Sequence, residues 1–343
     1  MRSRRWPLVA LSFVAAIGVS AFMVWRGWKH DGSWPSLPWH VHALAFAVFV
    51  AETLARATKV QWGAKAMRIP LRWTTALRVS LGGDFGASVT PSRAGAEPAR
   101  FLVLAEAGVA AAPALLILFF ELALELVSLV VVCGAFALFT QSGALAGGMI
   151  GVIGGYAVFV IGLMATVMML ATRRTIGPPP RWLRALGIHA GRWRAIRRAL
   201  RHLRDSVEML RRARIGPMLV ALALSLAHVT LRVGLLAVIV YGSGVQAPLV
   251  PLLVWPLLLL YGGAVAPAPA GGGAVEVGFS LGLRRVLDPA MLGTTLVWWR
   301  FYSFYAYLIA GAVVAGTTVM RALNGSSRHS SRDVTPPIHP TVG

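Results

Sequence analysis

Acidic side chains are scarce in this chain. Twelve Asp and Glu residues stand against 33 Lys and Arg in 343 residues, a formal net charge of +21. Charge of either sign is also thin: 13% of residues, where a soluble domain has about 25%. With 57% hydrophobic residues and a mean hydropathy of +0.69, the chain cannot cover its apolar surface with its own polar groups. That excludes a one- or two-domain soluble enzyme and requires an integral membrane protein. A single cysteine, Cys133, excludes a disulfide scaffold and a cysteine-based zinc site; in the apolar run 129–136 it is expected to be an inert buried thiol. Ser/His/Asp sets, a Walker A loop and metal-spaced histidines are missing too. The run Gly82-Gly83-Asp84-Phe85-Gly86 has no strand–helix context for a dinucleotide. No catalytic residue, metal or cofactor is therefore expected, and an enzyme is less expected than a transporter. Without an ATPase domain, transport is passive, gradient-coupled or dependent on a partner.

The basic excess has a position. Residues 172–214 carry thirteen arginines and two acids, Asp205 and Glu208, between long apolar segments. Under the positive-inside rule this is a cytoplasmic loop. Contact with anionic lipid is a further reading of it; nucleic acid is not expected as a partner.

Apolar runs predict spans at residues 7–25, 39–58, 113–140, 146–171, 217–241 and 292–320, the first about as long as the roughly 20 residues that a bilayer demands. The basic stretch 59–73, with Trp62 and Trp73, is expected as a cytoplasmic interfacial helix. Residues 71–106 and 248–287 are apolar but broken. Gly82, Asp84, Pro91, Arg93, Gly95, Glu97 and Arg100 interrupt the first; Pro251, Pro256, Pro267, Pro269 and Gly271–Gly273 interrupt the second. Broken backbone survives at membrane depth only inside protein or along a cavity. Both segments are therefore expected to be re-entrant hairpins, the first with its tip near residues 90–95. Residues 1–323 form the membrane domain, and the Ser/Pro-rich 324–343 are expected to be a disordered tail.

The two hairpins form a repeat. Pro91-Ser92-Arg93-Ala94-Gly95-Ala96-Glu97 resembles Pro269-Ala270-Gly271-Gly272-Gly273-Ala274-Val275-Glu276, with one residue inserted. Glu97 precedes Glu121 by 24 residues, and Glu276 precedes Arg300 by 24. With both termini cytoplasmic, the hairpins enter from opposite sides. The expected fold is an all-α polytopic membrane protein with about six spanning helices and two re-entrant hairpins in inverted repeats, its site at the midplane.

Seven of the twelve acids fall in apolar or broken segments: Glu52, Asp84, Glu97, Glu106, Glu121, Glu125 and Glu276. Arg56, Arg93, Arg100, Arg232 and Arg300 join them. Each costs at least about 2.5–3.5 kcal/mol at the bilayer centre, so each must pair or face a wet cavity. Helical spacing suggests Glu52–Arg56 and Arg93–Glu97 as pairs. Glu121 and Glu125, one turn apart, need a cation. Arg300 is the expected partner, Arg232 its competitor. His228 is read as an interhelical hydrogen-bonding residue, with a proton relay as the other option.

The runs 90–98 and 269–276, Glu121 with Glu125, and Arg300-Phe301-Tyr302-Ser303-Phe304-Tyr305 together resemble the lysylphosphatidylglycerol synthase transmembrane family, over about residues 5–320. Where that pattern has an arginine after the position of Glu121, this chain has Leu122. The resemblance implies a lipid translocator in the bacterial cytoplasmic (inner) membrane, with a phospholipid, aminoacylated, polyprenyl or hopanoid-type lipid as cargo. Only a short tail follows Met320, so synthase activity is not implied. A membrane-embedded subunit of a lipid-modifying transferase is the alternative. Membrane lipids are the expected partners, a separate lipid-synthesising enzyme is an optional one, and a homo-oligomer is left open. Arg93, Glu97, Arg100, Glu121, Glu125, Glu276 and Arg300 are the candidate headgroup-binding residues: the arginines meet phosphate, and Glu97 and Glu276 meet a cationic or hydroxylated group or carry protons.

Overall fold

The computed structural model describes residues 36–90, 93–139, 213–262 and 273–329, with scattered helical positions between 143 and 165. The expected span 7–25, nearly all of the arginine-rich loop and the last fourteen residues lie outside the described residues. Among these residues the chain is helical, without strands. We number the helices α1 (Trp39–Ala66), α2 (Trp73–Ser88), α3 (Ala96–Glu106), α4 (Ala111–Phe139), α5 (Ile215–Gly242), α6 (Leu249–Leu257), α7 (Ala274–Leu283), α8 (Pro289–Arg300) and α9 (Ala306–His329). A π-helical turn, Leu258–Gly262, extends α6, and a second, Phe301–Tyr305, joins α8 to α9.

Four of these segments are long and apolar enough to cross a membrane: Trp39–Ala66, Ala111–Phe136, Ile215–Gly242 and Met291–Thr318. At 1.5 Å per residue a 28-residue helix measures about 42 Å, more than the roughly 30 Å hydrocarbon core. The sixteen residues of α2 and eleven of α3 reach only about 24 and 17 Å, too short to cross singly. Two boundaries correct the sequence reading. The stretch 59–66 is not a separate interfacial helix but the end of α1, because Lys59 is buried against other helices rather than wetted. The break comes at residues 67–72, where Arg68 has φ 60°. At the other end, α9 runs on to His329, so residues 324–329 are helical where a disordered tail was expected.

The frame is the antiparallel pair α1 and α5. Arg214 N donates to Ala66 O at 3.0 Å at one end, and His40 Nε2 meets Gly242 O at 3.0 Å at the other. Small and branched residues line the seam: Val41, Ala45, Leu236 and Val240 are all fully buried. Each hairpin starts from one end of this pair. α2 begins shortly after Ala66 and folds back on itself as α3; α6 begins shortly after Gly242 and folds back as α7.

Both hairpins close through glycine. In the first, Arg78 meets Glu106 at the base, and Gly82 approaches Val103. Near the tip a Cβ on Gly86 would collide with the Gly95 carbonyl oxygen. In the second, a Cβ on Gly282 would run into the indole of Trp255. α2 then packs antiparallel on α9, with Gly311 against the Leu81 backbone and Thr318 hydrogen-bonded to Arg78. The hairpins thus enter from opposite ends of α1/α5, and the described inner ends of their limbs approach each other around Ser88, Leu260 and Val275, the inverted arrangement that the repeated motif predicts.

Candidate functional site

A cavity opens between the inner ends of the hairpin limbs. The first hairpin contributes Asp84, Ala87, Ser88 and Arg93, and the second contributes Leu259, Leu260 and Val275. α5 adds Arg232. Arg300, Ser303, Phe304 and Tyr307 come from the helix through the π turn. The cavity is narrow, about 30 Å³.

Three guanidinium groups face this space against one carboxylate, and that carboxylate is already engaged. Asp84 takes both terminal nitrogens of Arg56, one at 2.8 Å. Arg232 Nη1 donates to Glu52 at 3.1 Å and Arg300 Nε to Glu276 at 2.8 Å. Arg93 forms no ion pair among the described residues, and its φ of 56° is a left-handed conformation uncommon for any residue but glycine. Tyr307 ties the wall together. Its hydroxyl donates to Glu52 Oε2 at 2.6 Å, while the guanidiniums of Arg232 and Arg56 lie 4.9 and 5.2 Å from its ring centre. Cation–π contacts of this kind stabilise a desolvated arginine without consuming its hydrogen bonds.

Beside the cavity lies a second cluster. Lys59 Nζ is 3.5 Å from Glu121 Oε1, and Arg100 Nη1 is 3.4 Å from the same oxygen and 3.0 Å from Glu97 Oε1. Glu121 is buried, yet neither of its oxygens has a hydrogen bond within 3.5 Å among the described residues.

The residue pairing departs from the sequence expectation in three places. Arg300 does not meet Glu121 or Glu125; it pairs with Glu276, which α7 presents beside it. Glu121 is held by Lys59 and Arg100, and Arg232 goes to Glu52 instead. Glu97 pairs with Arg100 rather than Arg93, because Arg93 sits in the tip before the helix starts and the spacing is not helical there. Glu52 and Arg56 do approach, at 3.8 Å, but Arg56 is taken chiefly by Asp84. Of the candidates, Arg93 and Arg300 line the cavity, and Glu276 backs Arg300. Glu97, Arg100 and Glu121 form the neighbouring cluster. Glu125 lies 4.0 Å from His228. Glu106 is a half-exposed surface acid paired with Arg78.

Three contributors were not singled out from sequence: Lys59, Arg232 as a cavity wall, and Tyr307. The signal for Lys59 was present. Glu52, Arg56 and Lys59 are spaced by four and three, which places them on one helical face; the basic residues after Lys59 hid it among cytoplasmic flanks.

The repeat is visible in the charges. In the second unit, Glu276 binds Arg300 directly, across the 24-residue offset. In the first, the matching positions are both glutamates, Glu97 and Glu121, and Arg100 bridges them. Each hairpin limb is thus locked to the long helix after it by a buried ionic contact.

A polytopic all-α membrane protein with two inverted helical hairpins is the class that this architecture defines. Residues 7–311 match the lysylphosphatidylglycerol synthase TM region family, and the chain belongs to it. Comparison with curated proteins gives no match. Membership fits a membrane lipid-related role for a multi-pass membrane protein.

Proposed function

We propose that this protein translocates a lipid across the bacterial inner membrane, passing an anionic headgroup through the cavity between the two hairpins while the acyl chains stay in the bilayer. The observation that carries the reading is the meeting of Arg93, Arg232 and Arg300 at one space between two broken helices. Guanidinium binds phosphate through paired donors and keeps its charge at any physiological pH. Three guanidinium groups at one space favour an anionic group over a neutral or cationic one. In this reading the termini and the arginine-rich loop are cytoplasmic, which places its thirteen charges against the anionic leaflet.

The test is a headgroup-accessibility assay. The full chain is reconstituted in phosphatidylcholine liposomes holding phosphatidylglycerol with a fluorescent headgroup, and a membrane-impermeant quencher is added. Translocation exposes all of the label over time; empty liposomes protect the inner leaflet. Protection equal to that of empty liposomes, repeated with an aminoacylated and a polyprenyl lipid, overturns the proposal and favours a subunit that serves a lipid-modifying transferase.

A further inference from the structure

The network behind the cavity holds a histidine between two carboxylates. His228 Nδ1 lies 2.8 Å from Glu52 Oε1, and His228 Nε2 lies 4.0 Å from Glu125 Oε1. Hydrogen-bond chemistry fixes the first proton. Glu52 already accepts from the Tyr307 hydroxyl and from Arg232, with Arg56 Nε at 3.8 Å. A carboxylate among those donors is ionised and can only accept, so His228 Nδ1 carries a hydrogen. In a neutral ring, Nε2 then carries the lone pair. It would face a Glu125 carboxylate oxygen, acceptor against acceptor, on a histidine that is 3% exposed. At 4.0 Å the two atoms are beyond hydrogen-bond distance, and one further proton, either on Nε2 or on the Glu125 carboxyl, lets them close into a hydrogen bond.

Charge around this pair is balanced. Its surroundings supply Glu52, Arg56 and Lys59 from α1, Glu121 from α4, and Arg232 from α5. The first hairpin supplies Asp84, Arg93, Glu97 and Arg100. Tyr307 bonds Glu52, and Tyr156 and Tyr261 lie within electrostatic reach of Glu125. The cations Arg56, Lys59, Arg93, Arg100 and Arg232 match the anions Glu52, Asp84, Glu97, Glu121 and Glu125 in number. An added proton leaves a single positive charge, which an arriving monoanion cancels. The route between the two is short: Arg232 lines the cavity and bonds Glu52, and Glu52 bonds His228. Glu125 is 17% exposed against 1% for Glu52, so it is the more open of the two carboxylates around His228.

We propose that His228 and Glu125 share one exchangeable proton and that this proton crosses the membrane with the lipid anion. Only N–H and O–H bonds change: the proton leaves Nε2 for the Glu125 oxygen or for water, and the electron pair of the broken N–H bond stays on nitrogen. The coupling rests on the translocation reading, whereas the shared proton does not.

Two measurements on the full chain test it. The first is nitrogen NMR of labelled histidine with infrared spectroscopy, in phosphatidylcholine nanodiscs at neutral pH. It should show His228 protonated on both nitrogens, or an Nδ1-protonated ring with a carboxylic-acid band that Glu125→Gln removes. A neutral His228 with a bare Nε2 and no such band overturns the shared proton. The second uses liposomes with labelled phosphatidylglycerol and a trapped pH dye. Lipid movement should bring proton flux, lost in Glu125→Gln and in His228→Gln. Movement without proton flux overturns the coupling and leaves translocation standing. No movement at all overturns translocation and the coupling together, and the spectra still decide the shared proton.

Discussion

Arg300 donates its Nε to Glu276 at 2.8 Å, joining two residues 24 apart on neighbouring helices, both buried. Glu276 turns its other oxygen to the backbone N–H of Gly273 at 2.7 Å, so one carboxylate caps the start of α7 and fixes the arginine. The pair is a hinge pin between hairpin and span. Removing one member of a buried pair costs about 3–5 kcal/mol, because the other is stranded. Arg300→Leu should therefore lower the unfolding midpoint in detergent strongly, and adding Glu276→Leu should recover part of the loss. Adding Glu121→Leu to Arg300→Leu should recover nothing, since Glu121 belongs to Lys59 and Arg100. Recovery by Glu121→Leu would contradict the pairing described here.

Arg93 offers the reverse case. It forms no ion pair among the described residues and sits at φ 56°, where glycine is unstrained. Arg93→Gly should leave thermal stability equal or slightly higher. If Arg93 meets the headgroup through a charged hydrogen bond of about 1.5–3 kcal/mol, translocation of phosphatidylglycerol should fall by roughly 10–150-fold. A stable variant that translocates at the wild-type rate would remove Arg93 from the headgroup path.

The hairpin closure predicts a steric result. Gly86→Val must displace the Gly95 backbone, whereas a side chain at Gly134 meets nothing within 4 Å. Gly86→Val should lose folded yield or expose the first hairpin to protease, and Gly134→Ala should match wild type by size-exclusion chromatography. Equal behaviour of the two would mean that the limbs of the first hairpin are not in contact.

Orientation is open to labelling. In the topology proposed above, Ser36, just before α1, lies outside and Arg214, just before α5, lies inside. A cysteine at 36 should react with an impermeant maleimide in intact cells, and one at 214 only after lysis. Cys133 is buried and contributes little background. The opposite pattern would invert every side assigned to the protein while leaving its internal geometry unchanged.

Much of this architecture was legible in the residues because membranes punish irregular backbone. Pro91, Gly95, Pro267 and Gly271–Gly273 mark breaks that no lipid-facing helix tolerates, and both breaks fall between paired half-helices. The matched offsets from Glu97 to Glu121 and from Glu276 to Arg300 were also legible, yet their meaning was not. A spacing of 24 gives no rotational phase across an intervening loop, so it did not reveal that the second pair touches. Lys59 was misplaced for a related reason: one lysine looks alike at a membrane surface and against a buried glutamate. Only the chain fold puts Glu121 in front of it.

The π turn at Phe301–Tyr305 carries a geometric debt. One extra residue per turn advances everything after it by about 100° around the helix axis. Tyr307 reaches Glu52 from beyond the π turn, and the Phe304 ring lies 5.1 Å from the Arg300 guanidinium within it. Sliding the bulge by a turn would rotate a block of side chains past the arginines while the helix beyond kept its hydrogen bonds. The lining of the cavity on this side is therefore set by where one extra residue sits in the helix, as the angle of a cam is set by its key on the shaft.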